Sequence, residues 1–368
     1  MKLIVLVLFF YFSLFYVIQF IQLILITLLK NDPCRKTDQK PFVSILIACR
    51  NEEKNIVDCL SSISKLDYPY DKLEVLIGND NSTDNTAVLV KDFIRDKPNF
   101  KLIEITGLLG KAKAKANVLA WLAKEAKGDI YFITDADIMV PSTWIHGMLG
   151  VSKNSIGIVS GVTGIKGKGL LAAMQNFEWI YSFGLIKIST DAGLPVTAVG
   201  NNMYITADCY KSTGGYENLD FSVTEDFKLF REALSKGWDY RNLLNPLVYA
   251  ESKPLTYLKD LFKQRKRWMH GAAKLPIILV IVLTVQGIFF PFIISALFFF
   301  PKLALVCWLA KIFFQQFFIS IVSHKLGRRK FKNWIYAPAF EIYTGVLSVL
   351  FMLYYLMPGI ADWKGRKY

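Results

Sequence analysis

The sequence predicts an α/β domain with a largely parallel sheet, attached to a membrane by apolar helices from both ends of the chain. Between residues 41 and 250, short β-branched runs alternate with amphipathic stretches, the pattern of a sheet covered by helices. Residues 3–29 and 275–301 each pass without a single charge. Charge itself is divided along the chain, with 22 Lys+Arg against 24 Asp+Glu in residues 41–250 and 22 against 6 elsewhere.

The division decides what the net charge of +14 means. The basic excess flanks the apolar runs, at Lys30 to Lys40, Lys263 to Lys274, Lys325 to Lys332 and Lys364 to Lys367. Cations in those places suit anionic lipid headgroups on the cytoplasmic side, not a nucleic-acid stripe. With 53% hydrophobic and 20% charged residues, the chain is not disordered. Its five cysteines, Cys34, Cys49, Cys59, Cys209 and Cys307, form no C-x-x-C pair and have no His at ligand spacing, so neither a disulfide scaffold nor a structural zinc site is expected.

Residues 1–30 read as a transmembrane helix. At ~1.5 Å per residue the uncharged run reaches ~40 Å, enough for a ~30 Å hydrocarbon core. The run is too long for a signal peptide, and the basic residues behind it place the following segment in the cytoplasm. Residues 41–250 form a polar-patterned block the size of one domain. Strands are expected at 42–48, 73–78 and 130–134, with a helix at 112–126 before the third. The stretch 170–188, apolar with Phe177, Trp179, Tyr181 and Phe183, is either a helix on the membrane surface or part of the core, and 161–169 a flexible connection. Residues 251–274 read as an interfacial helix, and 275–368 as a membrane region with three apolar segments, the first kinked near Gly287 and Pro291. Three crossings would leave the basic tail Trp363 to Tyr368 outside, so one run, the last by preference, re-enters or lies along the interface. Lys311 and Glu341, ~18 and ~12 Å from their shared loop by helical rise, are expected to pair or to touch a polar group of a lipid.

In open sheets of this kind, ligands sit beyond the carboxyl ends of the strands. Two strands there run into Asn79-Asp80-Asn81-Ser82-Thr83-Asp84 and Asp135-Ala136-Asp137. Carboxylates gathered at one edge need a cation, and oxygen-only ligands favour Mg²⁺ or Mn²⁺, ions that commonly bridge to phosphate. Gly110-Lys111 supplies a basic group for a diphosphate, while Lys113 and Lys115 fit a solvated helix face as well. Thr224-Glu225-Asp226 and Gln264-Arg265-Lys266-Arg267-Trp268 complete the set. Alone, the last segment reads equally as a basic helix on lipid headgroups with an interfacial Trp.

In this order the motifs resemble a membrane-bound family 2 glycosyltransferase of the GT-A fold. The resemblance covers residues 41 to about 270. It implies that Asn51 and Glu52 belong to the nucleotide-binding loop, that Asp80 contacts the base, and that Asp135 lies toward the ribose and, with Asp137, toward the metal. Asp226, with Glu225 beside it, would be the catalytic base, and Lys111, Gln264, Arg267 and Trp268 would serve the donor. Gly200-Asn201-Asn202 falls where related enzymes line the acceptor pocket, though a polar turn explains it too. Asn79 stands where the family commonly has Asp, and Cys49 where Pro or Ala is frequent.

The expected activity is metal-dependent, inverting transfer from a nucleotide-sugar, a UDP-sugar first, to a membrane-embedded lipid at the cytoplasmic face of the cell membrane. The alternative is a processive polysaccharide synthase of the same family. The basic tail resembles that of bacterial enzymes acting on isoprenoid-type lipids. An inactive scaffold is disfavoured by the intact acids, and a transporter by the large polar-patterned domain.

Overall fold

The computed structural model describes residues 2–30, 32, 40–272, 274–328, 334–356, 362–363 and 366–367. Arg35 and Lys36, the far part of the basic loop to Lys332, and Lys364, Gly365 and Tyr368 of the basic tail lie outside them.

In chain order the elements are α1 (Lys2–Leu28), β1 (Val43–Cys49), α2 (Ile56–Ile63), β2 (Leu73–Asn79), α3 (Thr86–Ile94), β3 (Phe100–Glu104), α4 (Ala114–Glu125), β4 (Ile130–Asp135), β5 (Ile138–Met139) and α5 (Trp144–Leu149). Then follow β6 (Ile156–Ser160), β7 (Val162–Ile165), α6 (Leu170–Asp191), β8 (Asn202–Thr206), α7 (Ala207–Ser212), α8 (Gly215–Asn218), α9 (Glu225–Ser235), β9 (Asp239–Asn242) and β10 (Tyr249–Ser252). The last helices are α10 (Leu258–Ala272), α11 (Ile277–Gly287), α12 (Phe289–Phe299), α13 (Pro301–Lys325) and α14 (Ala337–Leu356). They divide into a sheet unit and a helical unit, and α6 belongs to the helical one.

The sheet unit is the expected α/β fold. Its seven-stranded sheet runs β3-β2-β1-β4-β8-β6-β9, parallel except where β8 lies against β4 and β6. A small sheet, β5-β10-β7, stands beside it. Every residue of β1 is buried, which explains why the run Val43-Ser-Ile-Leu-Ile-Ala-Cys49 does not alternate: helices cover both faces of a parallel sheet. Val43, Ile45 and Ile47 join Phe132, Trp144 and Tyr204 in the largest core, each such side chain worth ~1.5–3 kcal/mol when fully buried. Ala48 pairs with both Gly78 and Asp135, so β1, β2 and β4 end level. The turns that follow them share one sheet edge.

In the helical unit, Leu8, Tyr11, Phe12 and Phe15 of α1 pack against Val285, Phe289, Ile293, Ala296 and Ala304. Helix α6 packs on α1, α13 and α14; its apolar residues lie all round the helix, as a helix enclosed by others requires. Helices α1 and α13 are long and apolar enough to cross a membrane. The expected run at 275–301 is broken at Ile288 into α11 and α12, bent by 40°, and the pair makes a third crossing if it counts as one span. The apolar part of α14, Ala337–Phe351, is shorter. The described helices therefore include two or three that could cross a membrane, where a simple count of apolar runs gives four.

Lys311 of α13 and Glu341 of α14 are paired, and Trp308 Nε1 also donates to Glu341 Oε1 at 3.0 Å. The ammonium lies 5.3 Å from the ring centres of both Phe289 and Phe290. Glu341→Leu would strand that ammonium among aromatic rings, at an expected cost of about 3–5 kcal/mol. The effect should appear as early thermal unfolding in detergent, largely recovered when Lys311→Met is added. Unchanged melting of the single variant would show that the pair is not needed.

Candidate active site

The first two strand ends are laced together by their turns. Asn51, at φ 53°, donates its backbone N–H to Ser82 Oγ at 3.0 Å, and its Oδ1 accepts the Thr83 N–H at 2.8 Å. The Glu52 N–H donates to Thr86 Oγ1 at 2.7 Å and the Glu53 N–H to Asp84 Oδ2 at 3.1 Å. Asp84 also accepts from the Thr86 hydroxyl and N–H; although burial acts the other way, these bonds hold its carboxyl below the usual range. The Glu52 carboxylate is buried and accepts from Asn55 Nδ2 at 2.8 Å. Asp80 is buried; its backbone oxygen accepts from the Arg50 guanidinium, which also lies 3.8 Å from its carboxylate.

Asn79, where an Asp is common, has a local reason to be an amide. Its Nδ2 donates to Glu104 Oε2 at 2.6 Å and its Oδ1 accepts the Ser82 N–H at 3.3 Å. A carboxylate there would face Glu104 with like charge. Cys49 donates to the Gly78 oxygen at 3.3 Å, and burial pushes its thiol up to about 12.

Strand β4 delivers Asp135 as its last residue, and Asp137 lies in the short turn before β5. Both are half-buried. Lys115, from the first turn of α4, lies 2.6 Å from Asp135 Oδ1 and 2.9 Å from Glu225 Oε1. Only 15% of its side chain is exposed, so the reading of Lys115 as a solvated helix face is wrong. Burial opposes its charge, but the carboxylates of Asp135, Glu225 and Asp226 outweigh that and hold it protonated above the ordinary lysine range.

Asp226 is fixed from two sides. Its Oδ2 accepts the Gly200 N–H at 2.9 Å and its Oδ1 the Phe227 N–H at 2.8 Å. A Cβ at position 200 would come within 2.7 Å of the Asp226 carboxyl, which is why glycine stands there. Burial, then the neighbouring Glu225 charge, raise the Asp226 pKa to about 6, while Lys115 and the two N–H donors hold it from rising further.

The segment Gly200-Asn201-Asn202 reaches this edge because β8 runs antiparallel to β4, with Thr134 opposite Asn202. Gly200 holds Asp226. The Asn202 side chain is fully buried, accepting from Trp144 Nε1 at 2.7 Å and donating to the Val162 and Val248 oxygens at 2.9 and 3.0 Å; its role is to lock the sheets together. Lys111 has an acidic partner of its own. Gly110, at φ 58°, presses against the Glu217 backbone, and the exposed Lys111 ammonium pairs with Asp220 at 3.0 Å.

Gln264, Arg267 and Trp268 lie on α10, in the helical unit. The buried arginine of that motif is Arg265, not Arg267. It grips Glu178 with two bonds of 2.7 and 2.6 Å, stacks 4.1 Å from the centre of Trp268 and donates to Gln264 Oε1 at 2.5 Å; Tyr343 completes the Glu178 shell at 2.9 Å.

Of the expected site residues, the sheet unit therefore brings Asp135, Glu225 and Asp226 together through Lys115, and ties Asn51, Glu52 and Asp80 into adjoining turns. Among the described residues no three His, Cys, Asp or Glu side chains are grouped to enclose a metal ion by themselves. The residues missed from sequence are Arg50 and the N–H of Gly200; the sequence offers Lys115 for a diphosphate or a solvated helix face, but not its pairing with Asp135 and Glu225.

The chain is 30% identical over 246 residues to the poly-beta-1,6-N-acetyl-D-glucosamine synthase of Staphylococcus aureus (strain COL), a match covering 66% of this chain and 57% of the synthase. It is 30% identical over 253 residues to the probable glycosyltransferase YdaM of Bacillus subtilis (strain 168), covering 66% of this chain and 58% of that protein. It thus spans little more than half the length of these relatives. The fold is also that of the mannosyltransferase PcManGT from Pyrobaculum calidifontis, solved with GDP-Man and Mn²⁺, at a TM-score of 0.59, 18% identity and coverage of 95% of this chain and 97% of that one. The motifs resemble family 2, but the family model that matches, over residues 5–368, is that of glycosyl transferase family 21, and the chain belongs to that family of enzymes.

Proposed function

We propose that the enzyme moves a sugar from a nucleoside-diphosphate sugar, a UDP-sugar first, to a hydroxyl of a membrane-embedded lipid at the cytoplasmic face, with inversion and with Mg²⁺ or Mn²⁺. The observation that carries the reading is the meeting of Asp226 with the Lys115-bridged pair Asp135 and Glu225 at the sheet edge where β1, β2 and β4 end. A carboxyl raised to about 6 is ionised at neutral pH yet basic enough to take a proton. Asp226 accepts the hydroxyl proton as the acceptor oxygen bonds to the anomeric carbon. The bond to the diphosphate breaks on the opposite face, and the nucleoside diphosphate leaves with the electron pair.

Asn51, Glu52 and Asp80 line the nucleotide side of that edge. Asp137 and Asp135 offer only oxygen, the donor set a hard divalent ion prefers, and two protein carboxylates leave room for diphosphate oxygens and water. Such an ion would neutralise charge developing on the leaving group. The Mn²⁺ in the Pyrobaculum neighbour supports a divalent ion. Lys111, Gln264, Arg267 and Trp268 are assigned to the donor on the motif resemblance alone.

A second reading, polysaccharide synthesis, is favoured by the name of the staphylococcal relative. One assay separates them: purified protein, Mn²⁺, labelled UDP- and GDP-sugars and a total lipid extract, with partition into organic solvent. Label in the organic phase supports the lipid reading, label in high-molecular-weight aqueous material replaces it with the synthase, and no transfer from any donor counts against both.

A further inference from the structure

Lys115 is a single ammonium shared by two carboxylates that come from different parts of the chain. Asp135 closes strand β4, Glu225 opens helix α9 next to Asp226, and Lys115 projects from α4 between them at 2.6 and 2.9 Å. Lys115 and Glu225 side chains are each 15% exposed and Asp135 is 34% exposed, so Asp135 is the member open to solvent and to an arriving ion. The arrangement does for these carboxylates what a bound cation would do: it supplies positive charge where acids converge.

We propose that Lys115 is a built-in counter-ion that holds Asp135 against Glu225 until a divalent cation arrives, and that the cation must compete with it for Asp135. Free metal then binds weakly, because it gains Asp135 only by displacing a paired ammonium. A metal carried on a diphosphate binds well, because the displaced ammonium finds phosphate oxygens in exchange. Through Glu225 the same lysine ties this exchange to the helix that bears Asp226, so the donor side and the base respond together. The inference rests on the assignment of Asp135 to the metal in the proposed function.

The test titrates Mn²⁺ alone into the full-length protein in detergent, with free Mn²⁺ followed by electron paramagnetic resonance. Lys115→Met should tighten Mn²⁺ binding by about tenfold or more, because it unmasks two adjacent carboxylates to a dication. Lys115→Arg should bind like the wild type within about twofold, since the charge is kept. Asp135→Asn added to Lys115→Met should cancel the gain. If the methionine variant does not fold, as judged by circular dichroism, Lys115→Gln keeps two polar contacts without charge and should show the same tightening. Equal or weaker binding in the neutral variants, or no saturable binding in any form, overturns the proposal. Because the probe is the metal alone, the two readings fail separately: failure of every donor in the transfer assay would remove the proposed transfer, while the titration alone decides whether Lys115 competes with a divalent cation for Asp135.

Discussion

Replacing Asp226 with asparagine should lower kcat by about 10²–10⁴-fold, the usual contribution of a placed general base. Donor affinity in the presence of Mn²⁺ should stay within about threefold of the wild type, because the amide keeps the shape of the site and the substitution leaves the carboxylates of the β4 turn in place. The pH dependence gives the sign. Below about 6 the carboxyl is protonated and cannot accept the hydroxyl proton; above it the group is ionised, so kcat/KM should rise through a limb near 6 and level off. Glu225 raises that pKa and Lys115 lowers it, so Glu225→Gln should move the limb to lower pH. Initial rates between pH 5 and 8 for both variants test the assignment. A donor affinity lost together with kcat in Asp226→Asn would place this residue on the donor, not on the acceptor hydroxyl.

Asp137→Ala should act in the other place. It removes one of two carboxylates available to the divalent ion, so metal-dependent donor binding should fall by about 10–100-fold, together with transfer. Chelation with EDTA should bring the wild type to the level of that variant, with recovery on added Mn²⁺ or Mg²⁺. Calorimetry with a nucleoside diphosphate, with and without Mn²⁺, separates the two variants: Asp137→Ala loses the metal-dependent part of the binding heat, and Asp226→Asn keeps it. Full turnover in excess EDTA would mean that the protein's own cations carry the leaving group.

The parts of the site that could be read from the sequence are those that parallel sheets impose. A strand covered on both faces is an apolar run, and its carboxyl end must open into a turn, so the strands at 42–48, 73–78 and 130–134 are legible and Asp80 stands out after the second, Asp135 and Asp137 after the third. The observed strands Val43–Cys49, Leu73–Asn79 and Ile130–Asp135 agree within a residue or so. Lys115 could not be found that way. Lys111, Lys113 and Lys115 cross from a loop into a helix, with Ala114 at φ 52°, and no periodicity tells which of the three turns inward. Arg265 and Arg267 pose the same difficulty on α10, since two residues apart on a helix means roughly opposite faces and only the position of Glu178 selects one. The structural use of Asn202 was hidden because its partners Trp144, Val162 and Val248 are brought to it by tertiary packing.

The interleaving of the two units bears on how the chain is made and how it can be cut. Helix α6 is synthesised between β7 and β8, before α10 to α14 exist, so on the ribosome it must wait for most of its helical partners while the later strands of the sheet are still to be made. A fragment bounded at residues 41 and 250 would carry this 22-residue apolar helix without α1, α13 and α14 to cover it, and is expected to aggregate. A soluble catalytic fragment therefore needs an internal excision of residues 167–196 as well as trimmed ends.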